Sequence, residues 1–215
     1  MNDDQRDIFA ARTQAVLSSC DAVRTDGHFV YTSGRHGNAY VNKDAVYPHT
    51  ALVSELCAMF ADLFADLAVD VVCGPALGGI ILSQWTAHHL AAATDRDVLG
   101  VYAEKVPDGL ELRRGYDTLV ADRRVAVVED VVNTGGSIAQ AVAAVRAAGG
   151  DVVAAACLAN RGGVAADDVD VPVLHSLISL DFTTYDADAC PLCAQDVPVD
   201  TSVGKGAAFL AARGN

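Results

Sequence analysis

The sequence predicts an α/β protein: a mostly parallel, twisted sheet flanked by helices, with a small lid formed from an N-terminal hairpin and a C-terminal tail. Three observations carry that reading. From about residue 50 onward, short apolar runs alternate with stretches whose apolar residues recur at helical spacing. The apolar runs are continuous rather than alternating, as in strands buried on both faces. Turn-forming residues punctuate the junctions, as at Gly74-Pro75 and Gly149-Gly150.

Taken in order, Thr50 is placed to cap a helix with Leu52, Val53, Leu56, Phe60, Leu63, Phe64 and Leu67 on its apolar positions. Residues 69–73 then read as a buried strand, 79–93 as a helix and 97–103 as the next strand. Residues 104–122 are polar, carry Pro107, Gly109 and Gly115, and show no clear period. A structureless stretch of that length inside a domain is usually functional or mobile. Residues 125–128 form a further strand, and 137–148 a helix with Ile138, Val142 and Val145 on one face. Gly149-Gly150 stops that helix where a left-handed cap is wanted. Strands over 152–159 and 171–180 complete the series. Outside it, residues 28–31 and 39–42 look like a hairpin around Ser33-Gly34-Arg35-His36-Gly37, and 183–215 form a loop-rich tail.

The 215 residues fit one domain, residues 1–215, with 28–46 and 183–215 as lid or appendage. A hydrophobic content of 52% supports a sizeable core, yet no run approaches the ~18 residues of a membrane span. The acidic start Met1-Asn2-Asp3-Asp4 is the reverse of a secretory signal, so a cytoplasmic location with reduced thiols is expected. A net charge of −13 argues against nucleic acid or an anionic membrane as partner. Of the acids, 24 are Asp and 4 Glu; such a surface suits a salty cytoplasm, although GC-rich codons would give the same bias.

The chemistry concentrates in Glu129-Asp130-Val131-Val132-Asn133-Thr134-Gly135-Gly136-Ser137. Here an apolar strand runs into two acids, then a Thr-Gly-Gly-Ser turn, then an amphipathic helix. Glycines let backbone N–H groups approach an anion, and the helix N-terminus adds partial positive charge. Thr134 and Ser137 add hydroxyl donors, while carboxylates suit the hydroxyls of a sugar. A ligand with a phosphate one sugar-length from a diol fits both halves.

The whole string resembles the signature of type I phosphoribosyltransferases, which bind 5-phosphoribosyl pyrophosphate (PRPP). Asn133 stands where that family usually has Thr, Ser or Ala. Cys73-Gly74-Pro75-Ala76-Leu77-Gly78-Gly79 resembles the family's pyrophosphate loop, with Ala76, Leu77 and Gly78 at its tip. Residues 29–44 and Leu158-Ala159-Asn160-Arg161 are similar to orotate phosphoribosyltransferases, as is the tail from Cys190-Pro191-Leu192-Cys193 to Val197-Pro198 in one bacterial branch. The resemblance implies Mg²⁺-dependent transfer of phosphoribose from PRPP to orotate, a step of pyrimidine biosynthesis. Glu129 and Asp130 are implied as ribose ligands, residues 134–137 as the 5′-phosphate cradle, and Arg161, Asn133, Tyr40 and Val41 as base contacts. Mg²⁺ is expected to be held mainly through PRPP. Lys105 matches the first lysine of the family's mobile loop, but Asp108 and Leu110 replace its second lysine and its histidine, leaving Arg113 and Arg114 to supply charge. Thr32 falls where a basic residue is usual, with Arg35 or Lys43 as substitutes. The family further implies a homodimer whose loop acts across the interface. A phosphoribosyltransferase for another base and a non-catalytic PRPP-binding regulator are the alternatives.

Cys190-x-x-Cys193 supplies half of a structural zinc site, which normally takes four ligands. The chain has no second such pair and its six histidines show no metal-ligand spacing, so these cysteines are expected not to bind metal.

Overall fold

The computed structural model describes residues 2–31, 33–180 and 182–213. In chain order, α1 (Asp3–Ser19) precedes the two-residue strands β1 (Val23–Arg24), β2 (Phe29–Val30), β3 (His36–Gly37) and β4 (Tyr40–Val41). Next come α2 (Thr50–Phe64), β5 (Val71–Pro75), α3 (Gly78–Thr94), β6 (Leu99–Val106), β7 (Gly109–Leu112) and α4 (Tyr116–Val120). The series continues with β8 (Arg124–Val132), α5 (Gly136–Ala147), β9 (Asp151–Asn160) and β10 (Leu174–Ser179), and then β11 (Thr184–Tyr185), α6 (Pro191–Ala194) and α7 (Gly206–Arg213). Two units form: Met1–Gln14 with His49–Leu180, and Ala15–Pro48 with Asp181–Asn215.

The larger unit is built on a six-stranded sheet in the order β10-β9-β8-β5-β6-β7. Every pairing is parallel except that of β7 with β6. Alternate residues of a strand face opposite ways, and in β5, β8 and β9 both sets are apolar because both faces are covered. Val71, Cys73, Val125, Val127 and Cys157 share one core with Ile138, Ala141, Val142 and Val145 of α5. On the other face α3 packs against β5, β6 and β8 and against α2. No described helix is long and apolar enough to cross a membrane.

Three local expectations are corrected. Thr50 does not cap α2: the N-cap is His49, whose carbonyl accepts from Leu52 and Val53, and Thr50 is the first helical residue. Residues 104–122 are not structureless, since β6 and β7 make a hairpin and α4 follows. Leu110 and Leu112 pack against the core and Val120 is fully buried, a pattern too short to show a period. The third concerns the N-terminal hairpin. Phe29 and Val30 pair with Gly37 and His36, whereas Tyr40 and Val41 pair with Arg24 and Val23. A tight turn fixes this register, with Gly34 N–H donating to the Tyr31 carbonyl at 2.9 Å.

Helix α1 escaped the sequence reading for a visible reason. Its buried stripe is Phe9, Thr13, Val16 and Leu17, at helical spacing, but the polar Thr13 interrupts the apolar signal. Turns elsewhere rely on aspartate. Asp21, Asp26, Asp95, Asp122, Asp170 and Asp196 all hold left-handed backbone, with φ between 51° and 60°. Asp tolerates that region better than most residues with a side chain.

The smaller unit joins two distant segments. β11 and β2 flank β3 in a three-stranded antiparallel sheet, and β1 pairs with β4. Asp200 N–H donates to the His28 carbonyl and Lys205 N–H to the Val30 carbonyl, each at 2.8 Å. Arg35 donates to the Thr184 hydroxyl (2.9 Å) and the Asp186 carboxylate (2.5 Å). Thr32 lies outside the described residues.

Candidate active site

Strand order determines where this fold opens. From β5 the chain moves through α3 to β6 on one side, and from β8 through α5 to β9 on the other. The adjacent strands β5 and β8 therefore send their following loops to opposite faces, and the crevice between such loops is where ligands bind in open α/β sheets. Pairing of β8 with β5 ends at Cys73 and Val127, so residues 129–132 run on past their partner. Both loops singled out in the sequence sit at these strand ends.

After β8, a pocket is lined by Glu129 and residues 131–138. Gly135 takes φ +78°, turning the chain into α5. The first N–H groups of that helix have no partner within it and meet the pocket with partial positive charge. Glu129 and Asp130 are 7% and 3% exposed. The Asp130 N–H donates to Glu129 Oε1 at 3.0 Å and the Val131 N–H to Asp130 Oδ1 at 2.6 Å, which fixes both carboxylates at the strand end. Of the two, Glu129 lines the pocket.

After β5, the chain turns so tightly that a Cβ on Gly74 would lie 2.2 Å from the Gly79 carbonyl oxygen. A Cβ on Gly79 would meet the Gly74 backbone at 2.7 Å, so neither position admits a side chain. Between them the Ala76–Leu77 peptide is cis, the Ala76 N–H donates to the Ala103 carbonyl at 2.9 Å, and Leu77 is 83% exposed.

Arg161 follows β9 and is tied to the signature loop through its backbone, its N–H donating to the Val132 carbonyl at 2.8 Å. A Cβ on Gly162 would lie 1.6 Å from the Asn133 carbonyl oxygen, so the two loops touch. Asn160 holds the turn from the other side: its amide donates to the Val164 carbonyl at 2.9 Å and its carbonyl accepts from the Val164 N–H at 3.1 Å. The structure thus brings Arg161 beside Asn133. Asn160 and Gly162 are supports that the sequence reading did not single out, although both stand in the same Asn-Arg-Gly-Gly string.

The hairpin residues are placed differently. Lys105 is exposed and opposite Leu110 in the β6–β7 pairing, with Asp108 exposed between the strands. Arg114 donates to Glu104, and Arg113 Nε lies 3.7 Å from Glu111 Oε2. Tyr40 and Val41 belong to the smaller unit, where Tyr40 stacks with Tyr31 at 6.4 Å between ring centroids and lies 5.7 Å from Phe29.

Burial also acts on the core thiols. It pushes Cys57 and Cys73 up to about 12, and raises Cys157 further, with the neighbouring Glu129 and Asp130 charges adding to the effect.

Comparison with known proteins agrees with this geometry. Residues 42–182 match the family model described as a phosphoribosyl transferase domain. An orotate phosphoribosyltransferase of Caulobacter vibrioides (strain NA1000 / CB15N) is 38% identical over 201 residues, 93% of this chain and 94% of that protein. One from Pelotomaculum thermopropionicum is 39% identical over 80% of this chain and 86% of its own length. The crystal structure of orotate phosphoribosyltransferase from Aeropyrum pernix superimposes with a TM-score of 0.61 at 26% identity, covering 77% of this chain and 92% of that one. The matching family model, and likeness to these relatives over most of the sequence, lead to one conclusion: the chain belongs to the phosphoribosyltransferase family.

Proposed function

We propose that this protein transfers phosphoribose from PRPP to orotate, forming orotidine 5′-phosphate and releasing pyrophosphate in pyrimidine biosynthesis. One observation carries the reading most: the loop of Arg161 is pressed against the signature loop at Asn133, in a chain whose relatives are named for orotate. A guanidinium there has the planar, double-donor geometry that recognises a carboxylate.

In this reading the ribose hydroxyls of PRPP donate to Glu129 and Asp130, and the 5′-phosphate accepts from Thr134, Ser137 and the N–H groups at the start of α5. The N–H groups at Leu77 and Gly78 face the departing pyrophosphate, while Ala76, whose N–H is held by the Ala103 carbonyl, anchors the loop to β6. The reacting carbon becomes oxocarbenium-like, so the protein's work is to orient the two substrates and stabilise the leaving charge. Glu129 is the only carboxylate among the residues lining the pocket. That sparse oxygen set fits Mg²⁺, which commonly takes one or two carboxylates and otherwise phosphate and water. When bound, the ion would neutralise charge on pyrophosphate.

Lys105, Arg113 and Arg114 supply the hairpin's positive charge. The two arginines, themselves exposed, now meet the exposed Glu111 and the half-buried Glu104, and pairs at a surface are weak enough to exchange for a phosphate. For Tyr40 and Val41 as base contacts, and for a homodimer in which the hairpin serves the partner's site, the support is the family resemblance.

The test is pyrophosphate release from PRPP and Mg²⁺ with orotate, uracil, adenine and hypoxanthine in parallel. Orotate alone should support turnover. Release with another base would reassign the substrate, and PRPP binding without any release would make the protein a regulator.

A further inference from the structure

The smaller unit contains a cluster that plays no part in the transfer reaction. His28, His36, Cys190 and Cys193 present one nitrogen or sulfur each, and these four atoms all lie within 4.8 Å of one another. His28 Nε2 is 2.8 Å from His36 Nδ1 and 3.7 Å from each sulfur, and Cys193 Sγ is 3.4 Å from His36 Nδ1. Zinc held at ~2.0–2.1 Å by nitrogen and ~2.3 Å by sulfur in a tetrahedron sets its ligands roughly 3.3–3.8 Å apart. The observed spacings bracket that range.

The surroundings favour a metal over a fortuitous cluster. His28, His36 and Cys190 are 1%, 0% and 3% exposed and Cys193 is half-buried, so solvent has little access to the ligands. His28 Nδ1 lies 2.8 Å from the Val197 carbonyl oxygen, which can only accept. That nitrogen must carry the proton, which leaves the Nε2 lone pair of a neutral ring pointing into the cluster. Metal-bound histidines are oriented in this way by a carbonyl on the far nitrogen. The histidines come from the β2–β3 hairpin, with Val30 paired to His36, and the cysteines from the N-cap and third residue of α6.

We propose that His28, His36, Cys190 and Cys193 bind one zinc ion in a closed Cys₂His₂ site. Two thiols lose their protons to solvent on binding, and the resulting thiolates balance the charge of the ion, so the loaded site is neutral as burial requires. Four protein ligands leave no open position, which makes the site structural rather than catalytic. A soft sulfur pair with two imidazoles selects zinc over magnesium. The site would clip the hairpin to the tail, two segments separated by more than 150 residues.

The experiment uses the full chain purified without chelator. Elemental analysis should give one zinc per chain, and a Cys190→Ser, Cys193→Ser double variant should lose it while Cys20→Ser keeps it. Because the double variant is at risk of misfolding, wild-type protein stripped of metal is also titrated with Co²⁺. A tetrahedral cobalt spectrum with a thiolate charge-transfer band at one equivalent is expected. Thiol titration supplies a third readout: the loaded chain should react only at Cys20, and the stripped chain at Cys20 and the half-buried Cys193, since Cys57, Cys73, Cys157 and Cys190 are buried. Substoichiometric zinc together with no cobalt spectrum would overturn the proposal, as would zinc retained by the double variant or another metal at full occupancy. None of these readouts depends on transferase activity.

Discussion

The signature loop of the larger unit and the Cys₂His₂ cluster of the smaller one both gather several polar groups within a few ångströms, but by opposite means. The loop is nine consecutive residues at the end of a strand buried on both faces, and the helix that follows fixes its direction. Its geometry comes from regular secondary structure and a large apolar core. The cluster unites a hairpin of two-residue strands with a tail helix of four residues, in a unit whose strands are too short to build a sheet core of that kind. Small scaffolds of this sort usually need a staple, and a metal is one of the few available. The lesson is that the two groupings rest on different scaffolds: one is set by a strand and helix of a large core, the other by side chains that the pairing of distant segments brings together.

Substitutions can break that division. The largest effect is expected for Glu129→Ala combined with Asp130→Ala. With each charge-assisted hydrogen bond worth ~1.5–3 kcal/mol, turnover should fall by about a hundredfold or more. PRPP affinity, read by calorimetry, should weaken as well, and zinc content should not change. Intact PRPP affinity would remove both residues from the sugar site. Next in size is Arg161→Ala, which should raise the orotate KM by about tenfold or more, the worth of a charged hydrogen bond, and shift the PRPP KM far less. Equal shifts in both constants would mean that Arg161 only supports the loop at Asn133. The smallest effect is expected in the hairpin. Lys105→Ala, or Arg113→Ala with Arg114→Ala, should lower kcat by roughly an order of magnitude or less and leave PRPP binding nearly intact, because those contacts matter most in the transition state. A loss of PRPP affinity equal to the loss of kcat would place them in the ground-state site instead.

What could be read from the sequence follows the same division. The strand–turn–helix at the signature loop, the strand series and the apolar face of α5 were legible because each is carried by neighbouring residues or a fixed period, as in Ile138, Val142 and Val145. Helix α1 was not, since Thr13 occupies a buried position in its stripe. The partner of β2 was misread because two-residue strands carry no register of their own, and the turn at Gly34 decided it. His28 and His36 could not be recognised as ligands from spacing: only the pairing of the hairpin with β11 brings them to Cys190 and Cys193. The one visible signal was Cys190-x-x-Cys193, because the chain has no second such pair and its histidines show no metal-ligand spacing.

The aspartates in left-handed turns have an electrostatic consequence. Asp95 caps the C-terminal end of α3, and Asp21, Asp122 and Asp196 come just after α1, α4 and α6. Helix C-termini already carry partial negative charge, so an anion there is unfavourable by about 0.3–1 kcal/mol at low ionic strength. A chain of net charge −13 adds general self-repulsion to that local cost. Dissolved ions shorten the reach of both terms, to a Debye length of roughly 3 Å at 1 M salt. Glycine or asparagine would have formed the same turns without charge. By using aspartate, the fold places at its chain reversals a small electrostatic cost that counterions reduce.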